Sequence, residues 1–183
     1  AKEAHPEGLF FPNTYVYEPG DTDTSIYQKA YKAMQDHLND AWSKRHEGSP
    51  VKSPYDLLKL ASIIEKETGH PDDRGLVSAV FNNRMKIGMK LQTDPTIIYG
   101  LGASFDGNLR KKDLLKDGPY NSYTRYGLPP TPIAMPGKNS LIVAAQPSSS
   151  KAIYFVAKGD GRSAFSETLV AHNEAVRKYQ LKK

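Results

Sequence analysis

The stretch from Ser53 to Gly69 constrains the chain most, because it reads as an amphipathic helix with a carboxylic acid inside its apolar face. Ser53 is placed as an N-cap, Pro54 fits the first helical position, and Asp56 sits three residues on, close to a capping box. Gly69 is placed as the C-terminal stop. At about 100° per residue, Leu57, Leu60, Ala61, Ile63 and Ile64 form one stripe. Glu67, three and four residues beyond Ile64 and Ile63, falls inside that stripe. Lys66 points away, and Glu65 lies near the stripe's edge on another side. The two glutamates therefore do not share a site, and only Glu67 is directed toward the core.

A carboxyl held beside isoleucines is partly desolvated, which disfavours its charged form and raises its pKa. A general acid working near neutral pH needs that shift. On the helix alone there is a plainer alternative: a helix-end glutamate that bends out to water or pairs with a lysine. The rest of the chain has to decide between them.

The 183 residues suffice for one domain with a real core. The absence of cysteine excludes disulfides, thiol catalysis and thiolate metal sites. The five histidines are scattered, and there is no HExxH, no glycine-rich phosphate loop and no GxSxG elbow, so no metal and no cofactor are expected. The net charge of +5 would suit an acidic partner. The basic residues are dispersed, however, and Arg110-Lys111-Lys112, the densest run, reads as a solvated helix face. A nucleic-acid partner is not expected. No run approaches the roughly 18 apolar residues of a membrane span. The chain starts at Ala1 and reads as a piece of a longer protein or a processed one.

Elsewhere the pattern is mostly helical. Ile26, Tyr27, Ala30, Met34, Leu38, Ala41 and Trp42 predict a long scaffold helix over 24–46. Pro71-Asp72-Asp73 opens another, with Leu76, Val77, Val80, Phe81 and Ile87 as its apolar face, Gly88 as its stop, and Arg84 as a candidate buried ion-pair partner. Asn108 is placed to cap a short helix over Leu109–Lys116, and Gly137-Lys138-Asn139-Ser140 to cap one over Leu141–Gln146. Ala152–Ala157 is the clearest strand. Gly159-Asp160-Gly161 is a hairpin turn, Ser163–Phe165 returns as a second strand, and Tyr15–Tyr17 is a further strand candidate. A last helix runs from Glu167 to Leu181, with Leu169, Val176 and Tyr179 inward. His172 on it reads as a capping or core-edge histidine rather than a base. Between the helices, Tyr120–Ile133 is a long irregular loop rich in Tyr, Asn, Thr and Pro, of the kind that is usually functional.

The chemistry left open is carboxylate chemistry. Glu67 is the acid candidate. Asp94 is the only other acid set in a polar, aromatic, irregular region, although an Asp-Pro turn or helix cap also explains it. Two carboxylates flanking a sugar would point to glycoside cleavage.

Several long motifs, in order, carry a resemblance. They are Glu7-Gly8-Leu9-Phe10-Phe11-Pro12-Asn13-Thr14-Tyr15, Ala61-Ser62-Ile63-Ile64-Glu65-Lys66-Glu67-Thr68, Val80-Phe81-Asn82-Asn83-Arg84 and Ile87-Gly88-Met89-Lys90-Leu91-Gln92-Thr93-Asp94-Pro95-Thr96. Tyr120-Asn121-Ser122-Tyr123-Thr124, Gly127-Leu128-Pro129-Pro130-Thr131-Pro132-Ile133 and His172-Asn173 follow. Together they resemble the YceG-like family of endolytic murein transglycosylases, over about Glu7 to Tyr179.

The resemblance implies a lyase that cuts peptidoglycan glycan strands between N-acetylmuramic acid and N-acetylglucosamine without water. It would leave 1,6-anhydro-muramyl ends and terminate nascent strands. Its catalytic glutamate matches Glu67, which the helix geometry had already selected. The Glu67-Thr68 pair looks like the Glu-Ser pair of other lytic transglycosylases. One carboxyl can serve both proton transfers, so Asp94 falls to positioning, and Gln92, Thr93, Asn121, Tyr123 and Tyr126 are expected to line the substrate cleft. The implied fold is α+β, with a lysozyme-like, mostly helical core and a small antiparallel β element. Residues 1–183 would be one catalytic domain, with a membrane anchor and a LysM-like domain upstream. That would make it the periplasmic part of a single-pass inner-membrane protein, touching the membrane only through that anchor. Peptidoglycan synthases are possible partners. A non-catalytic peptidoglycan-binding or scaffold domain and a hydrolytic muramidase are the alternatives.

Overall fold

The computed structural model describes residues 5–67 and 70–181. Helix α1 (Asp23–Ser43) starts on a capping box that pattern reading had passed over: Ser25 N donates to Thr22 Oγ1 at 3.1 Å and Thr22 N to Ser25 Oγ at 3.2 Å. It ends short of residue 46, because His46 N leaves the helix to bond Ala145 O at 2.8 Å.

Helix α2 (Pro54–Glu67) starts as expected, with Asp56 N on Ser53 Oγ at 3.1 Å. The expected C-terminal stop at Gly69, and Thr68 before it, lie outside the described residues. Leu57, Leu58, Leu60, Ala61, Ser62, Ile63 and Ile64 are all buried, so far more than one stripe is covered. Each fully buried leucine or isoleucine contributes about 1.5–3 kcal/mol. The single polar member, Ser62, is satisfied: its Oγ donates to Lys59 O at 2.7 Å and accepts Ile133 N at 3.0 Å.

Helix α3 (Pro71–Lys86) follows, and Gly88 turns the chain with φ +66°. Three shorter helices come next: α4 (Asp94–Leu101), which runs into a 3-10 turn, α5 (Lys111–Leu115) and α6 (Lys138–Ala145). The α4 helix lies where the sequence pattern sets Asp94 in an irregular region. The cap of α5 is Arg110, not Asn108, because Asp113 Oδ2 accepts Arg110 N at 2.9 Å while Asn108 N is held by Asp106 Oδ1 at 3.1 Å. α2 is packed by α1, α3, α4 and α6.

Strands β1 (Tyr154–Ala157) and β2 (Ser163–Ser166) pair antiparallel, Phe155 opposite Phe165, and α7 (Leu169–Tyr179) packs across both. The architecture is therefore α+β, a helical core with a small hairpin. Tyr15–Tyr17 is not a strand. Val16 and Tyr17 are exposed, with no neighbouring strand among the described residues to pair them, and Tyr15 Oη donates to Phe11 O at 2.7 Å. Leu169 is exposed rather than inward, since it opens the first turn of α7 beside the cap Thr168.

Two glycine-bearing motifs meet at Gly8. Its φ is +82°, and a Cβ there would lie 2.6 Å from Pro132 Cβ. The N-terminal arm is thereby seated on the Gly127–Ile133 loop.

Candidate active site

The last turn of α2 presents Glu67, and the residues leading into α4 meet it. Gln92 has φ +49°, the one positive value at a non-glycine among the described residues. Backbone of this kind persists where surrounding bonds over-determine it, and here they do. Gln92 N donates to Ser122 O at 3.1 Å and Thr93 N to Ser122 Oγ at 3.0 Å. Thr96 Oγ1 donates to Thr93 O at 2.8 Å and lies 2.8 Å from Ser122 Oγ. The result is a buried hydroxyl cluster that fixes Thr93, which is 2 % exposed. Its own hydroxyl donates to Glu67 Oε2 at 2.7 Å.

Burial is the main cause that pushes the Glu67 carboxyl above its ordinary range. The neighbouring Asp94 carboxylate adds to this, while the Thr93 hydrogen bond and the Arg84 guanidinium oppose it. Asp94, at the first position of α4, is exposed, and its Oδ1 accepts Tyr123 Oη at 2.6 Å. It is not the side-chain cap that its Asp-Pro setting suggested: Thr93 is the N-cap residue and no side chain caps α4. Burial, and then the carboxylates of Asp94 and Glu67, push the Tyr123 phenol up.

Arg84 enters from α3. Among the described residues it forms no ion pair. Its Nε donates to Ile153 O at 2.7 Å and its Nη1 to Leu91 O at 2.6 Å. The reason is position: it lies between β1 and the segment before Gln92, where two carbonyls need donors. Its guanidinium sits 5.6 Å from the Tyr154 ring centroid, and His172 stacks on that ring at 5.1 Å. Burial and then the Arg84 charge both push the His172 imidazole down.

The structure thus brings Glu67, Thr93, Asp94 and Tyr123 together, with Gln92 exposed beside them. Asn121 is elsewhere in role. Its Nδ2 donates to the carbonyls of Asp113, Leu114 and Lys116 at 3.2, 3.1 and 2.8 Å, and its Oδ1 accepts Tyr123 N and Thr124 N. An amide so occupied, and 5 % exposed, has nothing left for a cleft. Tyr126 is exposed, carries Lys90 Nζ 5.1 Å over its ring, and borders a separate concavity with Lys59, Tyr120, Arg125 and Pro129, whose lining lacks Glu67.

Pattern reading missed Ser122 and Tyr154. Ser122 lies within the Tyr-Asn-Ser-Tyr-Thr motif and was available there. Tyr154 carried only a strand signal.

Chemically, the arrangement offers one desolvated carboxyl that holds a proton readily, fixed among the described residues by a single neutral donor, with an exposed second carboxylate engaged by a phenol. Such a carboxyl gives its proton as an acid and, once ionised, takes one back.

Comparison with known proteins extends this. The model of the YceG-like family matches residues 1–178. An endolytic murein transglycosylase of Bacillus subtilis is 40% identical over 176 residues, 96% of this chain and 48% of its own. One of Streptococcus pneumoniae is 32% identical over 155 residues, 82% of this chain and 28% of its own. The crystal structure of a yceG-like protein from Listeria monocytogenes superposes with a TM-score of 0.79 at 37% identity, covering 92% of this chain and 55% of that one. The chain therefore spans about half the length, or less, of the relatives it matches.

Proposed function

The chain belongs to the YceG-like family, and on that premise we propose that it is the catalytic domain of a lytic transglycosylase that cleaves peptidoglycan glycan strands internally. The observation that carries the reading is the setting of Glu67: a carboxyl whose proton affinity is raised by burial and whose Oε2 is held by Thr93.

In the reaction, protonated Glu67 gives its proton to the glycosidic oxygen as the bond to muramic C1 breaks. Positive charge develops at C1, where the substrate's own 2-acetamido oxygen can share it, as in substrate-assisted glycosidases. The Glu67 carboxylate then takes the proton of the muramic C6 hydroxyl while O6 closes on C1. The product ends in 1,6-anhydro-muramic acid, Glu67 is protonated again, and no water is consumed. Asp94 and Tyr123 position the sugar rather than transfer protons, and exposed Gln92 lies where it can reach a sugar hydroxyl or amide. With this substrate goes a periplasmic location, in a protein held at the inner membrane by a segment outside this sequence, working beside the synthases whose strands it ends.

The test is mass spectrometry of products from uncrosslinked glycan strands, wild type against Glu67→Gln. Internal fragments with anhydro ends that vanish in the variant support the reading. Fragments with anhydro ends that persist in the variant remove Glu67 from it, and no cleavage by the wild type leaves a binding domain.

A further inference from the structure

Resting on the reading of Glu67 as acid and base, we propose that Thr93 is a positioning residue that confines the transferable proton to Oε1 of Glu67, so that one oxygen both gives and recovers it. The argument is a count of donors and acceptors. The Thr93 hydroxyl carries one hydrogen and is buried at 2 % exposure. Among the described residues its only hydrogen-bond partner is Glu67 Oε2, at 2.7 Å. The backbone groups of Thr93 are used elsewhere: its N–H goes to Ser122 Oγ at 3.0 Å, and its carbonyl takes Thr96 Oγ1 at 2.8 Å.

If the Glu67 proton sat on Oε2, that oxygen would become a hydroxyl, a poorer acceptor for the Thr93 hydrogen than a carbonyl oxygen, or would itself point at Thr93 Oγ1. In the second case the threonine hydrogen would have no acceptor among the described residues. With the proton on Oε1, Oε2 is a plain acceptor and the Thr93 hydrogen keeps its partner. The bond also survives ionisation unchanged, because a carboxylate oxygen accepts as a carbonyl oxygen does. Thr93 therefore need not move between the two proton transfers, and Oε1 stays aimed at the space where the glycosidic oxygen leaves and the C6 hydroxyl arrives.

The Gln92–Thr96 segment is built to hold this geometry. The left-handed Gln92 backbone and the Ser122–Thr96 hydroxyl pair fix where Thr93 sits, and a misplaced acid is expensive in rate. The other groups facing Glu67 are Asp94 from α4, Arg84 from α3 and Tyr123 from the long loop. Asp94 and Arg84 act through charge in opposite directions. Among the described residues only Thr93 bonds the carboxyl and so discriminates between its oxygens.

Thr93→Val removes the hydroxyl at constant shape, and Thr93→Ser keeps it. Thr93→Val is expected to lower kcat about tenfold to a hundredfold and to move the alkaline limb of the kcat/KM profile to higher pH, since a donor that favours the ionised form is gone. Thr93→Ser is expected to restore both. A loss in Thr93→Val with the alkaline limb unmoved, or a loss that Thr93→Ser shares, overturns the proposal and leaves a packing role. Carbon-13 NMR of the glutamate carboxyls, with the Glu67 signal identified by its absence in Glu67→Gln, gives the same answer without turnover. Its titration must move up in Thr93→Val and stay in place in Thr93→Ser, and a Glu67 signal indifferent to Thr93→Val refutes the proposal. If the wild type cleaves nothing, the functional reading fails while the NMR titration still judges Thr93.

Discussion

Glu65 and Glu67 stand two residues apart on the same helix and meet opposite surroundings. Glu65 faces the start of α6, where its Oε2 accepts Gly137 N at 3.1 Å and Ser140 Oγ at 2.6 Å. Both donors belong to the start of α6, where N–H groups lie open to an acceptor. Glu67 faces α4 with, among the described residues, one neutral hydroxyl as its donor and a second carboxylate nearby. The first junction gives its carboxyl two donors. The second holds a carboxyl short of what a charge needs, and such shortfalls cluster where proton transfer is the task. On the proposed function, the two acids of the Glu-Lys-Glu run thus differ in how many donors each is given among the described residues.

The comparison can be broken by substitution, beginning with the largest effect. Glu67→Gln should reduce strand cleavage by about 10²–10⁴-fold or more, read from the rate at which new strand ends appear, while thermal stability at neutral pH holds or rises because a desolvated acid has been removed. Asn121→Ala leaves three carbonyls and two N–H groups short of partners and should cost about 2–3 kcal/mol in denaturant unfolding. Glu65→Ala strands the Gly137 N–H and Ser140 hydroxyl and should cost about 1–3 kcal/mol, with cleavage per folded molecule near wild type. If Glu65→Ala instead abolishes turnover in folded protein, the division of labour between the two acids is wrong. Gly8→Ala, which forces a Cβ at positive φ against Pro132, should destabilise by about 1–3 kcal/mol.

The smallest effect is the pH dependence of stability. The folded Glu67 carboxyl titrates above the ordinary 4.5, so the native state keeps a proton that the unfolded chain has already released. Its contribution is fully present below the ordinary value and is lost as pH rises through the folded one. Wild type should therefore lose stability relative to Glu67→Gln across that window, measured by parallel melts. A difference that stays flat with pH would mean that Glu67 ionises normally.

How much of this the sequence carried depends on range. Periodicity alone set Glu67 inward and Ser53-Pro54 marked the helix start, because those signals lie within one element; Glu65, read as aside from the core, is half-buried like Glu67, because α6 packs over it. The helix beginning at Asp94 was hidden, since Thr93 supplies no side-chain cap and the Asp-Pro pair reads equally as a turn. The Thr93–Glu67 bond spans 26 residues and the Tyr123–Asp94 bond 29, and no local pattern encodes either. Asn121 misled for a related reason: an asparagine among tyrosines looks like a sugar ligand until the α5 carbonyls it collects are in view. Arg84 was marked as buried, but the carbonyls of Leu91 and Ile153 that take its donors come together only in the fold.

The central claim is that a single carboxyl passes one proton out and back with no water entering. Cleavage of uncrosslinked strands in oxygen-18 water tests it directly. The account predicts new ends of anhydro mass with no label and no new ends in Glu67→Gln. Label at a reducing muramic end would contradict it and return Asp94 as the base that directs water.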